Sequence, residues 1–383
     1  TKQMNKLPFY HSFAGKVPEV AAHLSEKLIS IAPEGLDKVF FCNSGSEAND
    51  TAIKVVWYYQ NALGRPEKRK IISRKRGYHG VTMVAGSLTG LPYAQDGFGL
   101  PLDFVRHTSC PHYFIEKLES ESEQDFVNRL LKNLEELILE EGPETIGAFI
   151  AEPVMGAGGV IIPPKNYFAK VQALLKKYDI LFIADEVICG FGRTGNMWGS
   201  ETFDLKPDIL TCAKALSAAY APISALLMNE NIIYEIENQA NELGVFGHGF
   251  TYSAHPLSAA VALKTLEIYE EKNIVNHVKM MEKSFIERVT NLEKYDFVGD
   301  ARAIGLIGAI EFVSEPGSNK KPDPSRKVAA KIQQKIQDEG VILRPLPGDS
   351  LAFCPPLIIN ESQIHDMFDK VDVVLSRVDF HSL

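Results

Sequence analysis

Apolar runs of strand length alternate with helical patterns over the first two-thirds of the chain, and this alternation constrains the fold more than any other feature. The runs are KVFFCNSG, RKIISRK, IGAFIAEPV, DILFIADEV, DILTCAK and APISALLMN. Most are continuous rather than period-two, the pattern of strands covered on both faces. Between them lie helix candidates at Ser46 to Leu63, Phe126 to Glu141 and Tyr167 to Lys177. Such alternation predicts an α/β domain with a mostly parallel central sheet. From Leu257 to about Tyr295 the pattern turns long, helical and charged. The remainder, Asp296 to Leu383, mixes short strands (AIGLIGAIEFV, VILRPL, SLAFCPPL) with two helices, which predicts a smaller α+β domain. The expected division is an N-terminal segment over 1–30, a large domain over 31–275 and a small C-terminal domain over 276–383.

Composition narrows the function classes. The chain has 383 residues, 45% of them hydrophobic and 23% charged, enough to build a sizeable core. A net charge of -9 argues against a nucleic-acid binder, which carries a basic face. No apolar run approaches the ~20 residues of a membrane helix, so no membrane partner is expected. The five cysteines are odd in number and scattered, which argues against a disulfide framework and makes the reducing cytoplasm the expected compartment.

Three strand ends carry ionisable groups: Glu152 in FIAEP, Asp185 in FIADEV and Lys214 in TCAKALSAAYAPISA. Ligands of open α/β sheets gather at such ends. A lysine there needs compensation, because burying an ammonium is expensive. Adjacent residues on a strand face opposite ways, so Asp185 and Val187 share a face that Glu186 does not. A carboxylate at Asp185 would keep a pyridine nitrogen protonated while Val187 packs on the ring, and Lys214 would form an imine with the aldehyde; these are the demands of pyridoxal phosphate (PLP). NSGSEANDTAIKVV adds a phosphate cradle: Gly45 admits a close approach, Ser44 and Ser46 donate, and a helix N-terminus follows.

Two other stretches are set aside. GFGRTG, Gly190 to Gly195, fits the dinucleotide pattern, but the NMWGSETFDLKPD after it has no helical stripe. HTSCPH, His107 to His112, has no second cluster to close a zinc site, so no metal is expected.

The sequence resembles the class III PLP-dependent aminotransferases of fold type I. The likeness covers most of the chain through NSGSEANDTAIK, GYHG, AEPVMGAGGV, ILFIADEVICGFGRTG, KPDILTCAKALS with PISA, FGHGFTYSAHPLSAAVAL and RPLPGDSLAFCPPL. It is nearest to the omega-amino acid and amine:pyruvate transaminases. The resemblance implies that Lys214 joins PLP as an internal aldimine and shuttles a proton. It puts Asp185 on the pyridine nitrogen, Val187 on one ring face and Tyr78 on the other, with His79 beside it. Ser44, Gly45 and Ser46 would bind the phosphate, and Glu152 would lie near the ring hydroxyl and the serine loop. Thr251 would reach the phosphate in the neighbouring subunit, which implies a homodimer or a tetramer built from dimers. Arg344, with Tyr78, would meet the substrate, its planar fork gripping an α-keto acid carboxylate. Arg193 would have a structural role.

The expected reaction moves an amino group from an omega-amino acid or primary amine to pyruvate or another α-keto acid by a ping-pong course. An aminomutase or a decarboxylase on the same fold is the nearest rival; a partner-binding protein without catalysis and a dehydrogenase are weaker ones. Proteins of this kind carry several dozen residues ahead of the stretch like LPFYHSFAGKVPEVAAHLSEKL. An N-terminal segment, truncated or disordered, is therefore expected, adding to the small domain and lending an aromatic side chain to the substrate pocket.

Overall fold

The computed structural model describes residues 1–382. Strands β1 (Leu36–Cys42), β2 (Lys70–Arg74), β3 (Val105–Thr108), β4 (Ile146–Ala151), β5 (Leu181–Asp185), β6 (Ile209–Cys212) and β7 (Ser224–Asn229) form one sheet in the order β1-β7-β6-β5-β4-β2-β3. Only β7 runs against its neighbours; the β2, β3, β4, β5 and β6 pairings are parallel. The continuous apolar runs are explained by cover on both faces. Phe149, Ala151 and Phe182 pack under α3 (Glu123–Glu141) and α4 (Tyr167–Lys177), whereas Ala148, Ile150 and Ile183 pack under α2 (Gly45–Ala62) and α5 (Glu230–Leu243). Near β1 and β7, α1 (Glu19–Ile31) joins α6 (Pro256–Glu271) in a further apolar group.

From Ile274 onward most buried apolar residues belong to a separate core, while Ile307, Ala309 and Leu346 pack with Val154, Val160 and Cys189. It joins α7 (Ile274–Thr290), α8 (Val328–Asp338) and α9 (Glu361–Arg377) to an antiparallel sheet of β8 (Val298–Ile304), β9 (Ile307–Phe312), β10 (Arg344–Leu346) and β11 (Ser350–Phe353), in the order β10-β11-β9-β8. Two details differ from the expectation. AIGLIGAIEFV is not one strand: Gly305, at φ +54, turns the chain between β8 and β9. The unpredicted β3, VRHT, is an edge strand with Arg106 and His107 half-exposed, so it lacks an apolar run.

Direction positions the site. Because β4, β5 and β6 are parallel neighbours, with Ala151 opposite Ala184 and Asp185 opposite Thr211, their C-terminal ends lie along one sheet edge. The chain leaves that edge through Glu152, Asp185 and Lys214 respectively, where ligands of open α/β sheets collect.

Candidate active site

A cavity of about 480 Å³ opens at this edge and is lined by Ser44, Gly45, Ser46, Tyr78, His79, Glu152, Asp185, Val187 and Lys214, among others. Nine of the predicted site residues therefore meet in one space. A larger, mainly apolar cavity of about 1010 Å³ adjoins it, sharing Val187, Ile188, Lys214 and Ala219, and bears Arg344 on its wall. Thr251 lines neither cavity; it is exposed in the turn before α6.

Asp185 is buried and held from three sides. Its Oδ2 accepts from Asn49 Nδ2 at 2.8 Å and lies 2.8 Å from His79 Nδ1, while Oδ1 accepts from Val187 N at 3.1 Å. Asn49 also donates to His79 O (2.7 Å) and accepts from Thr211 Oγ1 (2.8 Å), locking α2 to β6 and the acid together. The neighbouring Glu186 points away, as strand alternation requires. Its carboxylate accepts from the Gly199 and Ser200 amides and the Ser200 hydroxyl, and burial pushes its pKa up to about 7.

Glu152 is equally enclosed. Oε1 accepts from Tyr78 N and Oε2 from Gly156 N, each at 2.9 Å, and burial raises its pKa. It thus fixes the backbone from which Tyr78 projects. At the start of α2, Ser44 Oγ accepts from Glu47 N (3.2 Å) and Ser46 Oγ from Val81 N (3.1 Å), which leaves both hydroxyl protons free to donate. The Gly45 and Ser46 amides take no protein acceptor among the described residues, as the first turn of a helix requires. A Cβ at Gly45 would stand 3.1 Å from Val187 Cγ1, so the glycine keeps that wall open.

Lys214 departs from the expectation in one respect. It is exposed to the cleft rather than sealed in the core, because the cavity it borders is open. The surrounding protein still lowers its pKa through desolvation; the Asp185 and Glu152 charges oppose this and Arg344 reinforces it. The residue adopts φ +43 just beyond β6, in the left-handed region that side chains seldom occupy. Its amine makes no hydrogen bond or ion pair among the described residues, so it is available for covalent chemistry.

The GFGRTG turn opens no helix, and Arg193 serves as a strut, its Nη1 donating to Leu306 O (2.8 Å) and Pro355 O (2.7 Å). His112, the last residue of HTSCPH, brings a ligand atom within 4.8 Å of those of Asp300 and Glu311, but Arg302 also pairs with both carboxylates and Lys321 with Glu311. All five cysteines are free. Sequence reasoning missed Asn49, whose signal was a polar residue inside the buried stripe of Ala48, Ala52 and Ile53.

An unpartnered amine, a firmly held buried carboxylate and a cradle of free hydroxyls and amides fit an aromatic aldehyde phosphate. The fold and the donor set define a PLP enzyme of fold type I. A family model described as "Aminotransferase class-III" matches residues 1–375. Gamma aminobutyrate transaminase 1, mitochondrial, of Solanum lycopersicum is 50% identical over 368 residues, 96% of this chain and 71% of that protein. Probable gamma-aminobutyrate transaminase 3, mitochondrial, of Oryza sativa subsp. indica is 49% identical over 380 residues, covering 99% and 74%. Among solved structures, a "Transaminase with L-ala" superposes with a TM-score of 0.97 at 51% identity, covering 100% of this chain and 90% of that one. The omega transaminase of Pseudomonas jessenii in complex with PMP gives 0.96 at 48%, covering 98% and 83%. The chain belongs to the class III aminotransferases: it uses PLP to move an amino group from an amine to an α-keto acid.

Proposed function

We propose that the donor is an omega-amino acid or a primary amine with an apolar body, that pyruvate or a similar α-keto acid is the acceptor, and that Lys214 and Asp185 carry the catalysis. Bound PLP supplies an electron sink for the carbon that bears the migrating amino group. Asp185, braced by Asn49 and His79, holds the proton on the ring nitrogen. Lys214 would hold the aldehyde and would move the proton at the donor carbon; its lowered pKa favours the neutral amine that this task needs. Ser44, Ser46 and the Gly45 and Ser46 amides would hold the phosphate, and Tyr78 and Val187, which line the same cavity, would flank the ring. Glu152 orients Tyr78. Arg344 grips the substrate carboxylate by a bidentate pair.

The observation that carries this reading is the junction of the two cavities at Lys214. One side is polar and suited to a phosphate; the other is lined by Ile307, Ile342, Leu346 and Tyr220 with Arg344 among them. An amine entering the apolar side meets Lys214 with its carbon chain against aliphatic walls and a carboxylate end toward Arg344. Relatives named as gamma-aminobutyrate transaminases, whose named substrate is an omega-amino acid, support the choice of donor.

The working unit in this reading is a homodimer in which Thr251 reaches the phosphate of the neighbouring site. Three large apolar side chains in the segment that follows the cavity-lining Gly80 support it: Val81 is 72% exposed, Met83 68% and Phe98 74%, the kind of side chain a subunit contact would cover. The test is a donor panel with pyruvate: a four-carbon omega-amino acid, a diamine and an aryl-alkyl amine, with alanine measured as product. Alanine from at least one donor is expected. No alanine, with carbon dioxide release or a shifted amino group instead, would establish the decarboxylase or aminomutase rival.

A further inference from the structure

Arg344 makes no side-chain hydrogen bond or ion pair among the described residues, so its backbone sets its position. That backbone is β10, the edge strand of the small sheet, paired only with β11 (Arg344 opposite Ala352, Leu346 opposite Ser350) around the turn Pro347-Gly348-Asp349. Within the small domain, Asp349 anchors the turn: its O accepts from Phe312 N and its Oδ1 from Ala329 N, each at 3.0 Å. Leu346 belongs to an apolar group with Val154, Val160 and Ile307.

A polar tie crosses from the large domain. Arg76, two residues before Tyr78, donates through Nη2 to Pro347 O (3.1 Å) and through Nε to Gly158 O (2.9 Å), and its Nη1 lies 3.1 Å from His112 Nδ1. One guanidinium thus touches the Arg344 turn, the loop after Glu152 and a buried histidine. Its backbone stands at φ +67, a conformation unfavourable for a side-chain-bearing residue, held by a 2.7 Å bond from its N–H to Gly90 O. Arginine can only donate, so His112 Nδ1 must be the acceptor and Nε2 must carry the proton. Nε2 lies 3.1 Å from Glu311 Oε2, and Glu311 is wholly buried. Arg302 reaches the same oxygen at 2.8 Å and donates to Val160 O (2.9 Å) and Gly159 O (2.5 Å). Two arginines therefore clamp the 158–160 loop, and His112 Nδ1 accepts from the first.

We propose that Arg76, backed by His112 and Glu311, is a positioning residue for carboxylate recognition: it fixes the separation between the Tyr78 wall and the Arg344 hairpin. The proposal rests on the reading of Arg344 as the carboxylate grip. A two-pronged pair is sensitive to both angle and distance, so a hairpin released at its turn weakens the hold on every carboxylate substrate. A donor with no carboxylate does not use that grip.

The test uses the PLP-loaded enzyme with Arg76→Met, Arg76→Lys and, in parallel, Arg344→Met. Steady-state KM and kcat are measured for pyruvate, and the single-turnover rate for an aryl-alkyl amine lacking a carboxylate. Arg76→Met should raise the pyruvate KM about tenfold, the scale of one charge-assisted hydrogen bond, while kcat and the amine rate change less than about twofold. Arg76→Lys should fall between the two, and it decides the matter alone if Arg76→Met does not fold. An unchanged pyruvate KM, or an amine rate that falls by the same factor, overturns the proposal in favour of a merely structural role. If Arg344→Met raises the pyruvate KM and the Arg76 variants do not, only the positioning role fails. If Arg344→Met leaves that KM unchanged, the carboxylate reading itself has failed.

Discussion

Replacing Asn49 with alanine tests how the acid is held. The side chain is wholly buried and makes three hydrogen bonds: to Asp185 Oδ2 at 2.8 Å, to His79 O at 2.7 Å and from Thr211 Oγ1 at 2.8 Å. Taking about 2 kcal/mol for the bond to a carboxylate and about 1 kcal/mol for each neutral one gives about 4 kcal/mol. Alanine is the better helix former, which returns roughly 0.6 kcal/mol, so the net loss should be about 3 kcal/mol. Urea unfolding of the cofactor-free protein measures it as a lower midpoint at unchanged slope. Asp185 then keeps His79 and the Val187 amide but loses one of its three braces, and the affinity for PLP, read by equilibrium dialysis, should fall about tenfold. A stability loss under about 1 kcal/mol would show that water replaces the amide readily, and unchanged PLP affinity would refute the idea that Asn49 sets the carboxylate for the cofactor.

Two further perturbations probe the surrounding frame. Glu311→Gln leaves Arg302 and Lys321 facing each other without their buried counter-charge, and denaturation should show a loss of about 3–5 kcal/mol; a neutral result would mean that the pair is solvated after all. Burial holds His107 and His112 below the usual imidazole pKa, so below about pH 6.5 the unfolded chain binds protons that the native state refuses. Stability should therefore fall as pH drops from about 6.5 toward the lowered native values, with the slope reduced in His112→Gln; a flat profile across that window contradicts the assigned neutral histidines.

Much of the candidate site's edge was legible because its residues violate their surroundings. Lys214, Asp185 and Glu152 interrupt apolar runs, and a charge in such a run needs a reason. The buried parallel strands β4 and β5 were legible because their runs, IGAFIA and LFIA, carry no polar side chain before the strand end. The edge strand β3 was not, since Arg106 and His107 sit half-exposed in a four-residue segment. The β8–β9 hairpin was hidden because both strands are largely apolar and only Gly305 marks the turn. Asn49 resembles any polar helix residue until its register against Ala48, Ala52 and Ile53 places it inward. Arg76 lies in the basic stretch RKRG, where local sequence cannot tell a solvated cation from one that joins the ends of two sheets; the structure makes that distinction through Gly158, His112 and Pro347.

The central claim is that the amine at position 214 is the group that joins the cofactor, and it is tested most directly by chemical trapping. The PLP-loaded protein is reduced with borohydride, digested, and its peptides are sequenced by mass spectrometry. The account predicts a single modified residue, Lys214, and no modification in Lys214→Ala. Modification at another lysine in the native protein, or retained covalent cofactor in Lys214→Ala, would contradict it.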